Sequence, residues 1–444
     1  MRRKNMSISQ QSVMDALSHI IDPDFGQDIV SLGFIKNLEI DGPEVSFAIQ
    51  LTTPACPIKD QFKMQAEQQV GAIPGVESVK VAMTSAVKKR TPKVENSGLK
   101  EVQSIIAVAS GKGGVGKSTV AASIARELAG RGYRVGLLDT DIFGPSVPSL
   151  FNLHEQQLYQ DSQQMMIPIE AGGLSLMSFG FLLGDSPAIM RGPMVSGYVQ
   201  QLLHQVAWGP LDYLILDLPP GTGDIQLTIT QAVELGGSVI VTTPQALAYA
   251  DVIKGIMMFD RVNVPVLGVI ENMSYFDCGN CNTRHRVFGE GGAKRLSERF
   301  GIDVLAELPL SPELYGGTLE ASPKNEDVSH AVDNVIRALG KANLEGIKRP
   351  EVGYDAEMVR LYWRDEDLRL EVPNKVLRLD CRCAACVDEY TGEKRLEPDS
   401  IPDDIHAEDV QTIGNYAVAI SWSDGHSSGF FSYKQLRELA GVAN

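Results

Sequence analysis

The run Gly111-Lys112-Gly113-Gly114-Val115-Gly116-Lys117-Ser118 constrains this chain more than any other segment. It follows an apolar stretch, Ile105–Ser110 (IIAVAS), and opens a stretch with helical spacing, Ser118–Gly130 (STVAASIARELAG). A glycine-rich loop between a strand and a helix turns its backbone N–H groups inward, and the helix N-terminus adds a dipole that favours anions. In the GxxxxGK[ST] spacing, the Lys117 ammonium meets β- and γ-phosphates. Ser118, followed by Thr119, presents a hydroxyl to Mg²⁺. A glycine-rich turn without a ligand is the alternative. The strand before it and the helix after it favour a nucleotide, with ATP and Mg²⁺ expected.

From Val102 to about Gly346, further apolar runs alternate with helical segments. Arg134–Asp141 (RVGLLDTD), Tyr213–Pro220 (YLILDLPP), Ser238–Pro244 (SVIVTTP) and Val264–Met273 (VPVLGVIENM) read as strands covered on both faces. The expected class is α/β, a central doubly wound parallel sheet over residues 102–346. Residues 1–87 read helix, strand, strand, helix, strand, a small α+β domain. Gln11–Ile21 and Lys59–Val70 have helical spacing, Val45, Phe47, Ile49 and Leu51 alternate with polar or small residues, and Val76–Met83 closes the block. Residues 88–101 are polar, hold Pro92 and Gly98, and read as a linker. Residues 350–444 read as a small, mostly β domain. Its strand-like pieces are Val359–Trp363, Leu368–Val372, Lys375–Asp380 and Tyr416–Trp422, before a short helix at Tyr433–Leu439.

With 43% hydrophobic and 22% charged residues among 444, the chain is not wholesale disordered. Its net charge of -16 argues against nucleic acid as a partner. From Pro350 to Asn444 there are 10 basic and 19 acidic residues, 10 - 19 = -9, so much of that charge sits at the C-terminal end. No apolar run approaches the ~18 residues of a membrane span. The basic start, Met1–Gln10, lacks the apolar core of a secretory signal. No membrane partner is expected.

Acidic residues fall at strand ends, where open α/β sheets gather their ligands. Asp139 and Asp141 close RVGLLDTD, and their spacing points both carboxylates the same way if the strand persists. Asp217 ends YLILD. A nucleotide-hydrolysing site needs a carboxylate there behind the Mg²⁺, and a backbone N–H at Gly221 for the γ-phosphate. Helix caps or turn formers are the alternative.

Six cysteines are too few for a disulfide scaffold, and their clustering suggests metal ligands in a reducing compartment. Cys278-Gly279-Asn280-Cys281 offers two thiolates, half a metal site or a redox pair. Cys381, Cys383 and Cys386 offer three, with His426 as a plausible fourth donor. Cys₃His suits structural Zn²⁺, and a second iron–sulfur site is the rival. Cys56, in Thr52-Thr53-Pro54-Ala55-Cys56-Pro57, sits just before a helix whose dipole could lower its pKa. The alternative is a half-buried small apolar residue.

Lys112, at the second loop position, makes the chain resemble the deviant Walker A ATPases. There this lysine reaches across a homodimer to the partner's phosphates. DTDIFGPSVP (139–148), IMRGPMVSG (189–197), DLPPGTGDIQLT (217–228) and ENMSYFDCGNC (271–281) resemble the Mrp/ApbC/Nbp-type iron–sulfur carrier branch, a likeness spanning Val102–Asn343. It implies that Lys112, Lys117, Asp141 and Asp217 are catalytic, with Asp141 positioning the hydrolytic water. It also implies that Asn272 contacts adenine, and that Cys278 and Cys281 share one [4Fe–4S] cluster with the same pair of a second subunit. Asp22–Ile40, Leu51–Pro57 and Ile73–Val81 resemble the small Fe–S-assembly domain. Leu377–Glu389 and Asn415–Gly429 resemble the N-terminal domain of gamma-butyrobetaine hydroxylases, where such a cluster and a downstream His bind zinc.

In this order the three blocks resemble the high-chlorophyll-fluorescence type of carrier. The implied protein is a homodimeric ATPase that takes a [4Fe–4S] cluster from an upstream assembly scaffold and delivers it to apo-proteins. Its implied place is the bacterial cytoplasm, or the chloroplast stroma or another organelle if this is a processed form. The rivals are an electron-transfer deviant Walker A ATPase, a membrane-partitioning one, and a zinc-binding adaptor with a vestigial ATP site. The first would want cluster cysteines elsewhere in the central block, and none lies between Cys56 and Cys278. The second would want a basic amphipathic last helix, whereas YKQLREL is short and follows an acidic domain.

Overall fold

The computed structural model describes residues 8–85, 97–154, 156–183, 192–221, 223–245, 249–311, 325–383, 385–388 and 393–442. Most of the expected linker (88–96) and Ile189–Arg191 of the motif at 189–197 lie outside these residues. The chain forms two compact units. One is Met1–Thr91 with Val332–Glu345, and the other is Pro92–Ala331 with Gly346–Asn444.

In the first unit a helix, Gln10–Leu17, starts from a reciprocal cap between Ser9 and Ser12. It stops short of the expected Ile21, because Ile21–Asp22 (β1) pairs with Gln27–Asp28 (β2) instead. Strands Ile35–Asp41 (β3), Glu44–Leu51 (β4) and Ser78–Ser85 (β5) form a sheet in that order. β3 and β4 are antiparallel and β4 and β5 parallel, joined by helix Lys59–Gly71. The alternation read in β4 is real: Val45, Phe47, Ile49 and Leu51 are buried against Phe62, Ala66 and Val70 of that helix. The end of helix Glu326–Glu345 also packs here. Asn343 Nδ2 donates to Thr52 O at 3.1 Å. A β-carbon on Gly340 would lie 2.7 Å from Thr52 Oγ1, so any larger residue would force the Thr52 side chain to move.

Among the described residues the large sheet of the second unit has nine strands: Val102–Ala109 (β6), Val135–Asp139 (β7), Ile169–Ala171 (β8), Leu174–Ser178 (β9), Leu211–Asp217 (β10), Gly237–Thr242 (β11), Val266–Asp277 (β12), Arg284–His285 (β13) and Val304–Pro309 (β14). Their order is β13-β12-β11-β6-β10-β7-β9-β8, with β14 also on β12. The expected parallel sheet holds for its centre. Two pairings are antiparallel, β8 with β9 and β12 with β13. Residues 105–109 of β6 and the whole of β7 and β11 are buried, as strands covered on both faces must be. The carboxyl ends of β6, β7 and β10 meet at one edge, set in register by the pairs Asp217↔Val108 and Asp217↔Asp139.

The C-terminal block belongs to this second unit. It holds two antiparallel three-stranded sheets, Glu351–Tyr354 (β15), Met358–Trp363 (β16) and Leu368–Pro373 (β17), then Ala407–Ile413 (β18), Ala417–Trp422 (β19) and Gly429–Ser432 (β20). The expected strand at Lys375–Asp380 is instead a helix, Asn374–Leu379. Pro373 ends the ladder, and Asn, Lys, Leu and Arg then follow the helical choice, burying Leu377 and Arg378 together. Tyr416 fastens the block to the large sheet. Its hydroxyl accepts from Val266 N at 2.7 Å and donates to Val266 O at 2.9 Å.

Candidate functional site

The glycine loop runs from β6 into helix Lys117–Gly130. Gly116 is the helix N-cap at φ 79°, a left-handed conformation that a side chain would strain. The first intrahelical bond is Val120 N to Gly116 O at 3.0 Å. The N–H groups of Lys117, Ser118 and Thr119 therefore precede the ladder and are free to meet an anion. Three contacts fix the loop from behind. Ser110 Oγ donates to Lys112 O (2.9 Å), Gly221 N donates to Ser110 O (3.0 Å), and Asn272 Nδ2 donates to Val115 O (2.9 Å). In front, a β-carbon on Gly113 or Gly114 would touch nothing within 4 Å, so the cradle stands open.

Lys117 is 6% exposed and forms an ion pair with the fully buried Asp217. The Lys117 ammonium also lies 3.4 Å from Ser118 Oγ. Burial raises the Asp217 carboxyl and the Lys117 ammonium opposes that rise. Asp217 Oδ2 is buried and has no hydrogen-bond partner among the described residues. An orphaned carboxylate oxygen close to a serine hydroxyl is the oxygen donor set a hard divalent cation takes, so these residues fit Mg²⁺.

Asp139 and Asp141 do not share a direction, because β7 ends at Asp139. That carboxylate is fully buried and holds the following loop. Oδ1 accepts from Asp141 N (3.0 Å), and Oδ2 accepts from Ser146 N (2.8 Å), Val147 N (3.1 Å) and Ser178 Oγ (3.0 Å). Burial, then the Asp217 charge, push the Asp139 carboxyl upward against those donors. Asp141 is only partly buried, and its Oδ1 accepts from Phe143 N (3.2 Å) and Gly144 N (3.1 Å). Thr140 ties the two strand ends, donating from N (3.0 Å) and Oγ1 (2.8 Å) to Asp217 O. Lys112 is half-buried on the loop.

β12 links the loop to the CxxC. Asn272 grips Val115 at one point, and five residues on, past the left-handed Met273 (φ 56°), the strand ends at Asp277. There it turns back as a hairpin with β13, pairing Phe276 with His285 and Asp277 with Arg284. Cys278 and Cys281 sit in the turn, half-buried and exposed. His285, which the sequence reading did not single out, lies with them. The three donor atoms fall within 4.8 Å of one another.

The C-terminal cysteines are brought together as expected. Cys381, Cys383 and Cys386 are buried, and His426 Nε2 lies 3.3, 3.3 and 3.9 Å from their sulfurs. Tetrahedral Zn²⁺ with Zn–S near 2.3 Å and Zn–N near 2.0 Å requires S···N separations of about 3.5 Å. The four residues fit zinc closely and would hold it as a closed shell. Arg378, buried in the same core, donates to Cys386 Sγ at 3.4 Å and to Asp424 Oδ2 at 2.8 Å, fixing the orientation of that sulfur from behind. Cys56 departs from the dipole expectation. Burial raises its thiol to about 11, outweighing the helix that starts three residues later at Lys59.

Known proteins place this architecture. The family profile described as ParA, NUBPL iron-transfer P-loop NTPase, matches residues 101–339, just over half of the chain. The chain belongs to this family. An iron–sulfur cluster assembly protein profile matches residues 10–82, and a gamma-butyrobetaine hydroxylase-like N-terminal profile matches 351–437. These three profiles agree with the families that the three blocks resemble. The chain is 44% identical over 447 residues to the chloroplastic Fe-S cluster assembly factor HCF101 of Oryza sativa subsp. japonica, covering 97% of this chain and 83% of that protein. It is 42% identical over 315 residues to the iron-sulfur cluster carrier protein of a Synechocystis strain, covering 70% and 89%. A solved nucleotide-binding protein of Archaeoglobus fulgidus in complex with ADP is 39% identical, covers 53% of this chain and 89% of its own, and superposes with a TM-score of 0.44. Among the described residues no helix is long and apolar enough to cross a membrane.

Proposed function

We propose that this chain is an ATP-hydrolysing carrier that holds a [4Fe–4S] cluster between two copies of itself and hands it to apo-proteins. The observation that carries the reading is the path along β12. One strand places Asn272 on the phosphate loop and projects Cys278 and Cys281 at an exposed hairpin tip. Two thiolates per chain are half of the Cys₄ set such clusters take, so the cargo calls for a second copy.

ATP would seat its phosphates on the N–H groups at Gly113–Thr119. Lys117 would leave Asp217 to meet the β- and γ-oxygens. Mg²⁺, when bound at Ser118 with Asp217 behind it, neutralises charge building on those oxygens. Asp141 would orient the water that attacks the γ-phosphorus in line. The bond to the bridging β–γ oxygen breaks, ADP leaves, and the water proton ends on inorganic phosphate. Lys112 of the other copy would supply the remaining positive charge. The adenine role of Asn272 belongs to this proposal, alongside its grip on Val115. Nucleotide state would then reach the cysteine hairpin through β12 and shift the two copies between arrangements.

Apo client proteins and an upstream scaffold are the proposed partners. The Cys₃His site would be structural zinc. Free thiols throughout suit a reducing compartment, a bacterial cytoplasm or an organelle stroma. Cys278→Ala tests the reading. It should prevent cluster assembly on reconstitution while leaving ATP binding intact, and unchanged cluster content would defeat it.

A further inference from the structure

A [4Fe–4S] cluster bridging two chains would use the thiolates of Cys278 and Cys281 and leave His285 without a task. Yet the hairpin holds that imidazole in place. Cys281 Sγ and His285 Nε2 are 3.9 Å apart. All three donors lie within 4.8 Å of one another, so closing on an ion at Zn–S and Zn–N bond lengths takes a contraction of about 1.3 Å at most.

The turn that presents them is built rather than loose. Cys278 N donates to Thr283 O (3.1 Å) and Asn282 N donates to Cys278 O (2.8 Å), with Asn282 left-handed at φ 54°. Below the turn, Arg284 makes a two-pronged contact with Asp277, 2.9 Å on each arm, and its guanidinium lies 3.6 Å over the Tyr275 ring. Tyr275 is itself anchored by its hydroxyl, which donates to Asp327 Oδ2 at 3.0 Å. Position 285 is thus fixed relative to the cysteines by backbone pairing and a stacked ion pair.

We propose that Cys278, Cys281 and His285 of a single chain form a mononuclear site for a borderline-soft divalent ion, Zn²⁺ or Fe²⁺, with one coordination position open. Two thiolates and a neutral imidazole leave the bound ion with no net charge, so an exposed site needs no compensating side chain. The contrast with the C-terminal site is instructive. There, three buried thiols and the half-buried His426 close the shell, with Arg378 donating to Cys386 Sγ. At the hairpin, three donors at the surface leave room for a fourth from outside, the arrangement of exchangeable rather than structural zinc. The ion-bound state belongs to one chain and uses His285. The bridging state belongs to two chains and does not. The inference rests on the carrier reading only for that second state.

The test is a titration of metal-free, reduced full-length chain with Co²⁺ as the spectroscopic probe and Zn²⁺ as the competitor. Wild type should develop tetrahedral, thiolate-ligated Co²⁺ bands corresponding to about one ion at each cysteine site. His426→Ala should remove the contribution of the C-terminal site. His285→Ala should weaken the hairpin site by more than the roughly 10–100-fold that losing a supporting hydrogen bond costs. His285→Cys should restore affinity with stronger thiolate charge-transfer absorption. ATP binding checks that each variant is folded. His285→Ala should also reconstitute a [4Fe–4S] cluster as wild type does, which separates the two states. A Co²⁺ titration of His285→Ala identical to wild type would mean an adventitious ion only and would overturn the site. Failure of wild type to assemble any cluster, with the His285-dependent Co²⁺ bands intact, would sink the carrier reading and leave the mononuclear site standing.

Discussion

Replacing Lys117 by methionine removes the ammonium but keeps most of the apolar stem, and strands the Asp217 carboxylate, which is fully buried. Breaking one side of a buried pair costs about 3–5 kcal/mol, since the remaining charge keeps its desolvation penalty and loses its compensation. At about 1.4 kcal/mol per decade, amides protected by opening of β6 and β10 should exchange roughly two to three and a half decades faster in the nucleotide-free variant. Hydrogen exchange of peptides covering 102–109 and 211–217 reads this directly.

The sign of the pH dependence follows from the raised Asp217 carboxyl, a shift driven by burial and opposed in wild type by Lys117. With Lys117 gone, the folded-state pKa rises further above the unfolded value. The folded state then binds the proton more readily, so stability falls as pH rises from the unfolded pKa toward the folded one. The deficit of the variant should therefore shrink in acid and grow toward neutrality. Adding Asp217→Asn removes the stranded charge, and the double variant should return most of the loss. Exchange of Lys117→Met within a few-fold of wild type, or no rescue by Asp217→Asn, would refute the ion-pair argument.

Lys112→Ala should cut ATP turnover while nucleotide binding persists. Mixed with Asp141→Ala chains, it should regain part of the activity, because one of the two composite sites then carries neither lesion. No recovery in demonstrated mixed dimers would exclude action across the interface. His426→Ala should lower zinc retention and the melting temperature of the C-terminal block while ATP turnover changes little, as metal analysis and calorimetry of the full chain would show. Tyr416→Phe leaves Val266 N and O without their hydroxyl partner and should destabilise the docking of that block by about 1–3 kcal/mol, detectable as earlier proteolysis between residues 346 and 444.

The phosphate site was the most legible part of the sequence because local chemistry dictates it. Glycines at fixed spacing, a strand before and a helix after leave few geometries for Lys117 and Ser118. The central strands were legible for the same reason, since both faces are buried and the apolar runs are unbroken. Features set by distant segments were not. The direction of Asp139 depends on where β7 stops and on Ser178 of a neighbouring strand, and nothing in Asp-Thr-Asp announces either. His285 joins Cys278 and Cys281 only because β13 folds back on β12 with Phe276 opposite it, and a two-residue strand leaves little trace in periodicity. A Cys-x-x-Cys followed within a few residues by a histidine was the available signal. The helix at Asn374–Leu379 was misread because two leucines and a valine beside lysine and arginine satisfy either period over six residues, and Pro373 decides the outcome. Cys56 shows the limit of dipole reasoning: the thiol lies close to a helix start, but its burial carries more weight.

The central claim is that two chains share one cluster through the hairpin cysteines. Anaerobic reconstitution of the full-length chain, followed by Mössbauer spectroscopy, iron and sulfide analysis and mass measurement of the intact complex, tests it in a single experiment. The account predicts about one [4Fe–4S] cluster per two chains, borne only by the dimer and abolished by Cys278→Ala. A cluster carried by the single chain, or retained after Cys278→Ala, would contradict it.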